Sequence, residues 1–233
     1  MSVFRTRFLP IVALAFLCAL PATAAENLPQ VTEDGLHLVP DSRLAVVYAD
    51  PAADLSVYDS VMLLDAYVAF KKNWEREQRS RSAAAFAVTS KDIERMKNGL
   101  ATEFHAVFKR VLEEGGYPLV DEPADDVLLV RPAIINLDVA APNTPHSGQS
   151  RIHTTSAGEM TLYLELFDSV TGDLIVKALD RKVDNPARQG FYTWSDTHAN
   201  RAAAERIIGG WAGILLDALN EAKFDNLGAG NAE

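Results

Sequence analysis

EMTLYLELFDSVTGDLIVKALDRKV, Glu159 to Val183, is the stretch on which the fold turns. Met160, Leu162, Leu164 and Leu166 recur at period two, with Glu159, Thr161 and Glu165 between them. Such alternation marks a strand with one face in a core and one toward water. The run Asp168-Ser169-Val170-Thr171-Gly172-Asp173 then turns the chain. Gly172 supplies a positive φ without a Cβ clash, and Asp168 and Ser169 can bond the turn's own backbone. Leu174, Val176 and Ala178 resume the apolar face, so the stretch reads as a β-hairpin. Its second face carries Tyr163, Phe167, Ile175 and Leu179 among charges.

Upstream, Val61 to Phe70 has apolar residues at every even position and predicts a strand. Arg43 to Tyr48 predicts a shorter one, and Val127 to Val139 another that Pro132 interrupts. That proline implies a sheet edge, a bulge or two pieces. Two helices are expected. The first runs over Lys91 to Glu114, with Thr89 or Ser90 as its cap and Gly115-Gly116 as its stop. Its apolar stripe is Ile93, Met96, Leu100, Phe104, Val107 and Val111. The second runs over Asp196 to Lys223, with Ala204, Ile208, Trp211 and Leu215 in its stripe. The predicted fold class is therefore α+β: a two-layer sandwich, with a mainly antiparallel sheet of about four or five strands and two long helices packed on one face. Residues 25–42 are expected to form an N-terminal arm, 43–224 a single domain and 225–233 a flexible tail. Ala140 to Ser156, with two prolines and little apolar bulk, predicts a long polar loop.

Residues 1–24 read as a signal peptide. Arg5 and Arg7 precede the apolar run Phe8 to Leu17, and Ala22-Thr23-Ala24 fits a cleavage site. The run falls short of the roughly 20 residues that a membrane-spanning helix needs. Cys18, the single cysteine, lies in this leader and follows Leu17, where a lipidated cysteine normally follows a small residue. Plain cleavage near Ala24 and a periplasmic destination are thus expected, in preference to an outer-membrane lipoprotein. The processed chain would hold no disulfide, thiol nucleophile or thiolate metal site. Losing the two arginines would take the formal charge from −10 to −12. A chain so acidic, without a large basic block, is a poor match for nucleic acid.

Catalytic signatures are absent. No G-x-S-x-G elbow, H-E-x-x-H helix or phosphate-cradling glycine loop occurs. The five histidines, at 37, 105, 146, 153 and 198, are scattered. His146 and His153 share a loop but lack further ligands in any metal-binding spacing. The acid pairs Glu113-Glu114, Asp121-Glu122 and Asp125-Asp126 sit at a helix end or turns, where acids solvate the chain. Gly209 and Gly213 share a helix face, which serves close packing on the sheet or a docking partner helix. No catalytic residue, metal or cofactor is expected. One segment stands out: Lys71 to Arg81, KKNWEREQRSR, carries five cations against Glu75 and Glu77. It predicts a loop or a short, weakly packed helix. A charged segment is ordinarily just solvated, yet an exposed tryptophan among arginines is also how anchors for protein partners look. The candidate partner-binding residues are Lys71, Lys72, Trp74, Arg76, Arg79 and Arg81.

Several stretches together resemble a known family. They are YADPAADLSVYDSVMLLD (Tyr48 to Asp65), GGYPLVDEPADDVLLVRPAIINLD (Gly115 to Asp138) and LELFDSVTGDLIVKALDRKVD (Leu164 to Asp184), together with the last helix and its Trp194 and Trp211. They resemble the uncharacterised bacterial secreted and lipoprotein family called domain of unknown function 3313. The resemblance implies an envelope location and a compact α/β domain, and brings no catalytic residues. The expectation is an exported, non-enzymatic periplasmic binding or scaffold domain, whose partner is an envelope protein or other envelope component. A small-ligand carrier, or a hydrolase whose site forms only in the fold, are the alternatives.

Overall fold

The computed structural model describes residues 28–81, 88–139, 158–183 and 197–229, with the backbone alone at 81, 197–200 and 227–229. Among these residues the strands are β1 (His37–Leu38), β2 (Val46–Ala49), β3 (Ser60–Leu63), β4 (Tyr67–Phe70), β5 (Val127–Asp138), β6 (Glu159–Asp168) and β7 (Leu174–Val183). The helices are α1 (Trp74–Arg81), α2 (Ser90–Glu114) and α3 (Thr197–Ala229). All seven strands join one sheet in the order β1-β2-β7-β6-β5-β3, with β4 also paired to β5.

The hairpin β6–β7 stands in the middle of this sheet, antiparallel, with Leu164 opposite Ala178. Its turn is tied as the sequence implies: the Val170 and Thr171 amides donate to Asp168 Oδ1 at 2.9 and 2.7 Å, and Gly172 has φ +74°. Ser169 departs from expectation. Its hydroxyl bonds the backbone of Ala124 instead of its own turn. Leu162 and Leu164 share one buried cluster with Phe104 and Phe108 of α2 and with Ile208 and Trp211 of α3. Burying each such side chain is worth about 1.5–3 kcal/mol. Asp180, also buried, is fully partnered there: it accepts from the Trp211 indole at 2.7 Å and the Ala45 amide at 3.1 Å, and Lys182 lies 2.9 Å away.

The α+β class holds, but the expected sheet was too small and too uniformly antiparallel. β3 and β4 run parallel to β5, because the chain between β4 and β5 crosses over through α1 and α2. The single strand expected over Val61 to Phe70 is two strands. The break between them shifts the pattern, so Val61 is buried in β3 and Val68 in β4, while Leu64 is exposed. Pro132 does not mark an edge. It lies between Val130, where β3 ends, and Ala133, where β4 begins. The Val130 carbonyl accepts from Leu64 on that side. By the alternation of a strand, the N–H that Pro132 lacks points into the same gap.

Two further segments differ from expectation. From Leu28 onward the supposed arm is fastened to the sheet: β1 pairs with β2, Tyr48 donates to the Pro29 carbonyl at 3.0 Å, and Leu36 is buried. With β1 only two residues long, no alternation could announce it. At the other end α3 continues to Ala229, held by Lys223 pairing with Asp59 and by Asn226 bonding Ser56 at 2.7 Å. Gly209 and Gly213 do not mark a close approach: a Cβ on Gly213 would meet nothing within 4 Å, and one on Gly209 only Val107 of α2 at 3.8 Å. The tight contact is at Gly115, where a Cβ would clash with Leu216 of α3. The loop at Ala140 to Ser156, together with His146 and His153, lies outside the described residues, as does the side chain of His198.

Candidate functional site

At the end of the sheet where β4 and β5 finish, the chain builds a groove of about 670 Å³. Its construction starts with Asn73. This residue takes φ +68°, a left-handed conformation that asparagine tolerates better than most side chains. The Trp74 amide then donates to the Lys71 carbonyl at 3.0 Å, and α1 begins at once. The turn swings the eight residues of α1 back over the sheet end. A second device aims the strand below it. Asn136, at φ +52°, adds a residue to β5 against both of its neighbours, which buries Leu137 and brings the Val139 carbonyl under α1.

Trp74 is therefore not the exposed anchor that its arginine neighbours implied. Only 2% of it is accessible. Its ring stacks on Phe70 at 4.1 Å between centroids, and its indole N–H donates to the Val139 carbonyl at 3.2 Å. Gln78, one turn on, donates to the same carbonyl at 3.2 Å. Together with Val88 and Ile93, Trp74 forms a small second core that pins α1 to the strand ends and to α2. An indole carries a large apolar surface, and the cations around it leave that surface no better place than the gap between strand and helix. The alternation of charges in this segment hid the fact that Trp74 and Gln78, four apart, share one buried helix face.

The cations stay outside, and most of the candidate residues meet there. Lys71, Trp74, Arg76 and Arg79 line the groove, joined by Glu75, Ile93 and Lys97. Lys97 was missed by sequence reasoning. Its spacing of four from Ile93 on α2 was the available signal. Three of the cations are partly neutralised: Lys71 lies 3.4 Å from Asp138, Arg79 pairs with Glu75, and Lys97 lies 3.1 Å from Glu94. Arg76 has no ionic partner among the described residues, and neither has Lys72, which stands exposed beside the groove. The Arg81 side chain lies outside the described part. The result is an open groove with four cations and one acid on its walls, in a chain of net charge −10.

A second polar cluster lies across the sheet and serves packing. Glu165, itself buried, accepts from Arg131 Nε and from the Tyr163 hydroxyl, both at 2.7 Å, while the Arg131 guanidinium sits 4.7 Å from the centre of the Phe167 ring. Burial, followed by the bond to Glu165, pushes the Tyr163 phenol up to about 12. A phenol held so firmly protonated braces the sheet and is ill suited to proton transfer near neutrality. No group of three or more His, Cys, Asp or Glu placed to hold a metal occurs among the described residues. No helix among them is long and apolar enough to cross a membrane.

The chain matches the model of the family described as "Protein of unknown function (DUF3313)" over residues 36–212. It belongs to that family. No curated protein matches it. Among solved structures it is similar to the PelC dodecamer from Paraburkholderia phytofirmans, at 11% identity and a TM-score of 0.37, covering 73% of this chain and 96% of that one. It is also similar to a DUF4136 family protein from Bacteroides thetaiotaomicron, at 10% identity and a TM-score of 0.34, covering 72% of this chain and 95% of that one.

Proposed function

We propose that this member of the family is an exported, periplasmic binding or scaffold domain, and that its partner contacts run through the groove beside α1. The observation that carries the reading is the gathering of Lys71, Arg76, Arg79 and Lys97 from two separate segments onto one open groove. Its walls carry four cations against one acid, with Arg76 unpaired among the described residues, and an acidic occupant answers that local excess of positive charge. Trp74 and Gln78 fix α1 in place beforehand, so little ordering cost falls on binding. The occupant best matched to such a groove is an acidic segment of an envelope protein. Export rests on the basic start, apolar run and small-residue cleavage site within residues 1–24.

Capture from solubilised envelope tests this. The chain is compared with Arg76→Glu/Arg79→Glu and with a control pair, Lys109→Glu/Arg110→Glu, placed on α2 away from the groove. The reading expects a component bearing an acidic segment to be held by the parent chain and the control, released by moderate salt, and lost with the groove pair while that variant stays folded. Equal capture by all three chains would overturn it.

A further inference from the structure

We infer that the acidic occupant of the groove is the turn Asp121 to Asp126 of a second copy of this chain, so that copies associate head to tail. This deepens the reading above and rests on it. The turn, Asp121-Glu122-Pro123-Ala124-Asp125-Asp126, is exposed throughout. None of its four carboxylates has an ionic or hydrogen-bonded partner among the described residues. Three other acids of the same end are already engaged, while the carboxylate of Asp173 in the hairpin turn also stands exposed. Asp54 caps a short 3-10 turn, Asp59 pairs with Lys223, and Asp168 ties the hairpin turn.

The turn is also held in shape. The Asp126 carbonyl accepts from the Asp59 amide at 2.9 Å, Ala124 is bonded through both its amide and its carbonyl to the Ser169 hydroxyl, and Pro123 fixes a backbone angle. It thus offers a rigid acidic knob to a rigid basic groove, with free carboxylates facing the unpaired Arg76. The two cannot meet within one molecule. The turn precedes the first residue of β5 and the groove lies at Val139 beyond its last. The 12 residues of that strand hold them roughly 35 Å apart. Surfaces that complement each other at opposite ends of one chain make a heterologous contact, which closes into a ring or continues as a filament.

Sedimentation velocity on the full exported chain tests the inference, with Arg76→Ala/Arg79→Ala removing two of the groove's four cations, the unpaired Arg76 among them, and Asp125→Asn/Asp126→Asn two of the turn's four carboxylates. The parent chain is expected to sediment increasingly faster than a monomer as concentration rises at low salt, and as a monomer at about 0.5 M salt, where charges are screened within a few ångströms. Each variant alone is expected to stay monomeric. Their equimolar mixture retains one intact turn and one intact groove, and should form pairs that stop at two. A parent chain that stays monomeric throughout, variants that assemble like the parent, or a mixture that does not pair would overturn it. If the parent chain is monomeric while Arg76→Glu/Arg79→Glu still loses an envelope component, only the self-association fails. If capture is also unchanged, the groove reading fails with it.

Discussion

At the scale of single residues, Trp74 separates what holds the groove from what the groove presents. Its stacking on Phe70 and its bond to Val139 belong to folding, while Arg76 and Arg79 project outward. Trp74→Ala is expected to lower stability by about 3 kcal/mol, a usual cost for a buried aromatic, and Arg76→Ala by less than about 0.5 kcal/mol. Urea unfolding of the two variants measures the contrast, and similar losses would show that Trp74 packs little. Asp168 makes a second prediction. The Thr171 amide first, then the Val170 amide and the Tyr58 hydroxyl, hold its carboxyl below the usual carboxylate range. A carboxyl whose pKa falls on folding stabilises the fold above its unfolded value, about 3.9, and loses that contribution as pH drops through the folded value. The stability gap between the parent chain and Asp168→Ala should therefore hold steady from pH 7 to 5 and narrow below about pH 4. A gap that widens in acid would contradict the assignment. The sequence made Asp168 and Gly172 legible because turn chemistry is local. It misplaced Trp74 because burial there depends on Val139, 65 residues away.

Among the elements, legibility followed the length of the repeating pattern. The hairpin and α2 declared themselves over 10 and 25 residues, and the capping box of Thr89 with Asp92 confirms where α2 starts. Phe108 and Leu112, absent from the expected stripe of α2, are fully buried, because α3 packs beside that helix and widens its covered face. β3 and β4, four residues each, were too short to separate, and their parallel pairing depends on a crossover that periodicity does not report. The bulge at Asn136 was equally silent, since one left-handed residue leaves no repeat. It can be tested through its backbone. Asn136→Gly should be neutral to within about 0.5 kcal/mol, because glycine takes φ +52° freely. Asn136→Val should cost about 1–2 kcal/mol, because a branched side chain resists that conformation. Thermal unfolding compares the two, and equal melting temperatures would remove the bulge from the groove's construction.

At the scale of the whole molecule, two charged features of the described residues lie at opposite ends of β5. The groove and its cations lie beyond Val139, and the partnerless acidic turn lies before Val127. Composition alone reported only a net charge of −10, which conceals this polarity because the acids and bases are interleaved along the chain. The basic run Lys71 to Arg79 was visible in the sequence. That Lys97 joins it, and that an exposed acidic turn sits at the far end of the same sheet, required the fold. The groove's role can be examined in the producing cell with a photo-activated cross-linking residue placed at Arg79 on the groove wall or at Leu179, an exposed position on β7 outside it. Irradiation is predicted to give discrete adducts from position 79, including a product of twice the chain's mass, and none from position 179. Adducts from position 179 with none from position 79 would contradict the assignment of this groove as the partner-binding surface.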